Sequence, residues 1–322
     1  MNKIFNLLKN NSIYLKYNQN RYNKILKSLK VKKKISIIFL TNHISQWKYQ
    51  SLFEIFTKKI KYDVNVIFIP DENYNSDYQD EYLKNKKEFK EKNIDLISSY
   101  DVSNKSWKNL NSLFKPDIVF YSRTLSKSQY RYSIYNFKNS LNCYVPYSIH
   151  IDKNDRLQCG TLFHKLLWKQ FLPFHENLNI AKKSYDAKNV LITDYLGCDF
   201  FKKRTQSNAI WKNKLNKKII FAPHHTIDFE NKKNYFSTFL KFADDFINLS
   251  IKYKNKIDFC FKPHPGLKTK LYQHKEWGYK KTNNYFNYWS QGENTILSQA
   301  DYKELFIESD ALILDSVSFA AE

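Results

Sequence analysis

Three short stretches in the second half of the chain hold residue types that can do chemistry: FAPHHTI (221–227), FKPHPGL (261–267) and LILDSVSF (312–319). In each, an apolar strand-like run gives way to proline or aspartate and then to histidine or serine. Proline supplies no amide hydrogen to a sheet ladder, so Pro223 and Pro263 end their strands and deliver a histidine into the loop beyond. An imidazole titrates near neutral pH and suits proton transfer, while hydroxyls and the free amides of a helix start suit a phosphate. On that basis His264 is a candidate catalytic group, and His224, His225 and Thr226 face the same crevice. Asp315 ends the third strand, Ser316 or its neighbour caps a helix, and Ser318 lies in the first turn. Lys262 adds positive charge unless its place on the strand turns it into the helix layer. Pro263 and Pro265 restrict the backbone on both sides of His264, which holds the ring in place. The plainer reading makes each histidine a hydrogen-bonded loop residue and Ser-x-Ser an ordinary helix start. The order strand-Pro-His, strand-Pro-His-Pro, strand-Asp-Ser within one half-chain favours a site.

The elements that must position these residues are visible as a rhythm. ISIIFL (35–40), VNVIFI (64–69), IDLI (94–97), DIVFYS (117–122), NCYVPY (142–147) and NVLIT (189–193) are short β-rich runs, with helical stretches such as 51–60 and 81–92 between them. That alternation predicts βαβ units around a parallel sheet covered on both faces. After the polar stretch 202–218 the rhythm restarts with KIIFAP (218–223), a helix over 235–253, IDFCFKP (257–263), a helix near 283–291, then DYKELFIES (301–309) and ALILDS (311–316). The expected fold is therefore α/β, with two Rossmann-like domains facing a cleft, the architecture called GT-B. A basic helical segment over 1–30 precedes an N-terminal domain over 31–205 and a C-terminal donor domain over 215–322. Ligands of open parallel sheets bind past the carboxyl ends of the strands, where the three stretches fall.

Composition bounds the function. The chain has 322 residues, 42% of them hydrophobic, enough for two cores of ordinary size. Its formal charge of +22 calls for an anionic partner: a phosphate-rich substrate, an acidic membrane or nucleic acid. Heavy use of Lys, Asn, Ile, Tyr and Phe points to an AT-rich coding bias that inflates this figure. The aromatics, 17% of the chain, are spread through core-like runs with no stacking motif, zinc finger or helix-turn-helix, which argues against nucleic acid. Cys143, Cys159, Cys198 and Cys260 are too widely spaced for a metal site or a disulfide framework and suit a reducing cytoplasm. No apolar run approaches the roughly 18 residues of a membrane span, and the N-terminus lacks a signal peptide's continuous apolar region. The N-terminal lysines suggest either a solvated helix packed on its domain or one lying on the anionic inner face of the cell membrane.

On KPHP (262–265), LDSVSF (314–319) and APHHT (222–226) the sequence resembles the CDP-glycerol glycerophosphotransferases, the teichoic acid and capsule polyol-phosphate transferases. Weaker likenesses lie in QWKYQSLF (46–53), KPDIVFY (115–121) and CYVPYSIHI (143–151). The resemblance implies a GT-B enzyme that moves a polyol phosphate from a CDP-polyol donor to a hydroxyl of a glycan or polyol-phosphate polymer and releases CMP. It makes His264 the essential histidine beside the donor diphosphate and places Ser316 and Ser318 near those phosphates. It also implies a histidine from the first domain. His150 is the nearest candidate, without the family's following Gly-Thr, and His164 and His175 are alternatives that read as structural. Thr226 stands where the family can have arginine. No Asp-x-Asp signature is present, so the expectation is a metal-independent transfer with no cofactor beyond the donor. The rival expectations are a GT-B glycosyltransferase using a nucleotide sugar in capsule or lipopolysaccharide synthesis, and an inactive remnant. Because LILDSVSFAAE stops within the helix expected after the donor-site strand, the sequence also suggests a donor domain truncated at its C-terminus.

Overall fold

The structure, a computed structural model, describes residues 12–70, 78–124, 131–149, 156–202, 211–213, 215–227, 236–298 and 302–315. The chain divides into two compact units, Met1–Asp199 and Phe200–Glu322. The polar stretch 202–218 follows the division, and residues 203–210 and 214 within it lie outside the described residues.

The first unit opens with helix α1 (Ser12–Val31). Tyr22 and Leu29 are buried, the Tyr22 hydroxyl donates to the Leu166 carbonyl at 2.8 Å, and Lys24, Lys27 and Lys30 stay exposed. The helix is therefore packed on its unit through one face. Next come β1 (Ile35–Thr41), α2 (Gln50–Thr57), β2 (Tyr62–Phe68), α3 (Tyr78–Lys90) and β3 (Leu96–Ser98). A small hairpin, β4 (Tyr100–Asp101) and β5 (Ser106–Trp107), leads to α4 (Leu110–Phe114), β6 (Ile118–Tyr121) and β7 (Leu141–Tyr144). The unit continues with α5 (Arg156–Cys159), α6 (Leu162–Leu166), β8 (Lys169–Leu172), α7 (His175–Ser184) and β9 (Val190–Ile192). Seven of these strands form one sheet in the order β3-β2-β1-β6-β7-β8-β9, with every neighbouring pair parallel.

Successive side chains of a strand point to opposite faces, and β1 is apolar on both. Ile37 and Phe39 enter one core with Trp47, Phe89 and Phe120, while Ile38 and Leu40 enter the other with Val119, Tyr121 and Tyr144. Phe39 stacks on Phe120 with ring centroids 4.7 Å apart. The sequence rhythm contained no strand for β8. Its K-Q-F-L composition hides one, because Gln170 is fully buried with its amide donating to the His164 carbonyl and the Tyr185 hydroxyl.

Helix α8 (Asp199–Lys202) spans the division. The second unit then runs β10 (Lys217–Ala222), α9 (Phe239–Lys252), β11 (Ile257–Phe261), α10 (Leu267–Gln273), α11 (Gly278–Gln291), β12 (Thr295–Leu297), α12 (Lys303–Glu308) and β13 (Ala311–Leu314). Its four-stranded sheet is parallel throughout, in the order β12-β11-β10-β13. Phe239, Ala243, Phe246 and Ser250 of α9 recur at helical spacing and are buried, as are Thr282, Tyr285, Phe286 and Trp289 of α11. Both helices pack on Phe221, Phe259 and Phe261 of one sheet face. Ile220, Ala222 and Cys260 of the other face meet Leu305 of α12. All four cysteines are free thiols.

Candidate functional site

The order β12-β11-β10-β13 places a topological switch between β10 and β13, since the connections turn one way from β10 to β11 and the other way to β13. The crevice outside the carboxyl ends of the strands at such a point is the usual ligand position of an open α/β sheet. Register decides what arrives there. Phe221 of β10 pairs with Phe261 of β11, so His224 and His264 each stand three residues beyond a matched pair. Ala222 pairs with Leu314, so Asp315 leaves β13 at the level of Pro223. The three stretches singled out in the sequence thus end at one level of one sheet edge.

Hydrogen bonds fix the loops. The His264 amide donates to the Pro223 carbonyl at 3.0 Å, and the Lys262 amide to the Phe221 carbonyl at 2.8 Å. The Asp315 carboxylate accepts from the His224 amide at 2.6 Å, the Ser237 hydroxyl at 2.8 Å and the Thr238 amide at 2.8 Å. It therefore binds β13 to the loop after β10 and to the start of α9.

Three imidazoles result, with ring centroids 4.0 Å apart for His225 and His264, 4.2 Å for His224 and His225, and 4.9 Å for His224 and His264. Burial, then the neighbouring His225 and His224, push His264 down to about 4, although its ring remains exposed at one side. His224 is lowered by burial and by His225, against which the Asp315 carboxylate raises it. His225 is lowered by burial and by Lys270.

The ring nitrogens are not equivalent. Nδ1 of His264 accepts from the Gly266 amide at 3.0 Å, so the neutral ring carries its proton on Nε2 and presents a donor to the crevice. Nδ1 of His224 lies 2.9 Å from the Thr226 hydroxyl, which can either donate or accept. Nδ1 of His225 is buried with no hydrogen-bond partner among the described residues. One ring nitrogen from each histidine lies within 4.8 Å of the others, a grouping that could hold a metal ion. Against that use, an ion on Nε2 of His264 places the ring proton on Nδ1, where the Gly266 amide already donates.

Of the residues proposed from the sequence, the structure brings together His224, His225, Thr226, His264 and Asp315. Lys262 is 7% exposed, its side chain buried rather than displayed at the edge. The Asp315 carboxylate is occupied in accepting from two backbone amides and a serine hydroxyl of neighbouring loops. His150, Ser316 and Ser318 lie outside the described residues. His164 is fully buried, its Nδ1 2.8 Å from the Thr161 hydroxyl in a helix cap, and His175 begins α7. Sequence reasoning missed Ser237 and Thr238, which complete the Asp315 cradle and follow a stretch with no strand signal. It also passed over His43, which stands two residues past the end of β1, one of the two strands at the first unit's own switch between β1 and β6. There Nδ1 of His43 accepts from the Ser45 amide at 3.1 Å, which only its place two residues past β1 could have indicated.

No family model and no curated protein matches this chain. Solved structures do. S. aureus MnaA, in a co-structure with UDP, is similar over 88% of this chain and 74% of that one, at 13% identity and a TM-score of 0.54. A UDP-GlcNAc 2-epimerase from Neisseria meningitidis, bound to UDP-GlcNAc, is similar over 88% of this chain and 77% of that one, at 13% identity and a TM-score of 0.54. The wall teichoic acid polymerase TagF is similar over 94% of this chain and 75% of that one, at 13% identity, but its TM-score of 0.49 is too low to argue from. The likeness, together with two parallel-sheet units, places the chain in the α/β fold class of the GT-B enzymes.

Proposed function

We propose that this chain is a transferase that binds a nucleotide-activated donor at the carboxyl edge of the second unit's sheet. It moves a polyol phosphate from a CDP-polyol to a hydroxyl of a cell-surface glycan, a teichoic-acid-like polymer or a capsule polymer, and releases CMP. The observation that carries this reading is the gathering of three imidazoles at the β10/β13 switch, with His264 held as an Nε2–H donor. A leaving CMP gathers negative charge on its phosphate, and a fixed donor in a partly buried site stabilises that charge as it forms. A neutral imidazole whose only free nitrogen already bears a proton cannot also take one from the acceptor. His264 therefore steadies the leaving group, and a separate base activates the hydroxyl, with His150 as the candidate for it. The transfer as proposed needs no cofactor beyond the donor. Two of the solved neighbours are described with UDP or UDP-GlcNAc bound, which supports a nucleoside diphosphate as the ligand and favours, as a second reading, a glycosyltransferase using a nucleotide sugar.

The test is a panel of CDP-polyols and UDP-sugars, with and without acceptor glycans, assayed for CMP and UDP release. Acceptor-dependent CMP release supports the first reading, and UDP release with a glycosidic product supports the second. His264→Ala should lower turnover about 100-fold with the thermal melt unchanged, while His264→Gln, whose amide retains a donor, keeps most of the rate. A folded His264→Ala enzyme with near-normal turnover refutes the assignment. The net charge of +22 and the exposed lysines of α1 support a peripheral position on an anionic inner membrane face. Co-sedimentation with liposomes should then require anionic lipid and weaken with salt, and equal binding to neutral liposomes overturns it. Among the described residues no helix is long and apolar enough to cross a membrane.

A further inference from the structure

Three imidazoles within van der Waals reach of one another cannot all carry a proton, and the hydrogen bonds around them decide which one can. A protonated imidazole donates from both nitrogens, so each N–H needs an acceptor. His264 fails this requirement, because its Nδ1 already accepts from the Gly266 amide and a proton there would set two donors against each other. His225 fails it because its Nδ1 is buried with no partner among the described residues, and a new N–H at that position would go unmet. His224 meets it. Its Nδ1 faces the Thr226 hydroxyl at 2.9 Å, which can turn to accept, and its Nε2 is left for a ligand.

The charges around His224 are divided: burial and then His225 hold its charged form back in the free site, and Asp315 favours it. Asp315 holds the His224 amide and is the anionic group that reaches the ring, favouring its charged form. His225 opposes that form when it is itself charged, and Lys270 acts on His225, keeping it neutral. His264 stands 4.9 Å away, centroid to centroid. An anion at the remaining ring nitrogen adds to the effect of Asp315 and opposes that of burial and His225.

We propose that an anionic diphosphate bound at this edge draws one proton onto His224, and onto His224 alone, so that donor binding is coupled to proton uptake. The inference rests on the reading of this edge as the donor site and adds a division of labour: His264 is the permanently neutral donor, His224 the charge that appears with the ligand. The proton comes from solvent and no covalent bond changes. On release of the anion it returns to solvent.

Inorganic pyrophosphate is the probe, which separates this inference from the identity of the transferase substrate. Calorimetry at pH 7.5 in buffers of different ionisation enthalpy should show the folded chain taking up on the order of one proton more than His224→Gln per pyrophosphate bound. The ratio of wild-type to His224→Gln affinity should rise up to about tenfold per pH unit between pH 8 and pH 7, the limit for one linked proton. Pyrophosphate's own ionisation is common to both proteins and cancels. His225→Gln should retain the uptake. In chain labelled with 15N-histidine, one imidazole, missing in His224→Gln, should move to the protonated form on addition of pyrophosphate. Equal uptake per pyrophosphate bound by wild type and His224→Gln, protonation of a second imidazole, or no pyrophosphate binding by the folded chain overturns the proposal. CMP release from CDP-polyols, measured separately, decides the transferase reading whichever way the proton result falls.

Discussion

Replacing Asp315 with alanine removes one carboxylate and leaves four donors without their acceptor: the His224 amide, the Ser237 hydroxyl, and the amide and hydroxyl of Thr238. Hydrogen bonds to a charged group contribute about 1.5–3 kcal/mol each when buried. Here the group is half-buried, the Thr238 hydroxyl is distant at 3.4 Å, and water can reach part of what is vacated. The summed cost is therefore about 2–4 kcal/mol rather than the full total of the single bonds. With a urea dependence of about 2 kcal/mol per molar, the middle of the usual range, that loss lowers the unfolding midpoint of the second unit by roughly 1–2 M. Asp315→Asn keeps one carbonyl oxygen for the same donors and should lose about half as much. Urea unfolding, with hydrogen exchange read on peptides from β10, α9 and β13, locates the effect. Faster exchange should be confined to those elements, with β1 and β6 of the first unit unchanged. A midpoint shift worth less than about 0.5 kcal/mol, or equal loosening of both units, refutes the view that this carboxylate ties the loops together.

Two further perturbations test the cores. Burial pushes His164 from 6.5 down to about 3, so between those values the unfolded chain binds the extra proton. The contribution of neutral His164 is therefore complete above pH 6.5 and lost as the pH falls toward 3, by at most about 1.4 kcal/mol per pH unit. His164→Gln should flatten the acid limb of first-unit unfolding, and an unchanged limb refutes the assignment. Phe261 lies among Phe221, Phe239, Tyr285, Phe286 and Trp289 with ring centroids 5.3–6.0 Å away. Phe261→Ala should cost about 3–5 kcal/mol in the second unit by thermal or urea unfolding, and a loss below about 1 kcal/mol would mean that these rings collapse onto the vacancy.

The strands most easily read from the sequence are those buried on both faces. ISIIFL, DIVFYS and IDFCFKP each contain a real strand because apolar side chains fill both sides of the pleat. β8 and β12 were illegible for opposite reasons. In β8 a buried Gln170 satisfied by side-chain and backbone partners imitates a loop, and β12, Thr295–Leu297, is too short to show a period. At the candidate site, strand-Pro-His located each histidine at a strand end but could not show that the rings meet. That depends on Phe221 pairing with Phe261, a register set by two separate runs of backbone hydrogen bonds. Nor could it show that Asp315 serves as an acceptor between loops, because Ser237 and Thr238 lie 78 and 77 residues away in sequence.

The matched endings of β10, β11 and β13 bear on how such a site can change over generations. The level at which each loop starts is set by ladder bonds inside the sheet, where loop side chains take no part, so a loop can in principle be exchanged without re-registering the strands beneath it. Asp315 limits that freedom. Because one carboxylate holds the His224 amide and the two residues just before α9, an insertion after β10 keeps this link only if it returns an amide and a hydroxyl to the same two oxygens. Substitutions at His225 or Thr226 face no such condition from Asp315. The side chains displayed at this edge can therefore change singly more readily than the loops can change in length.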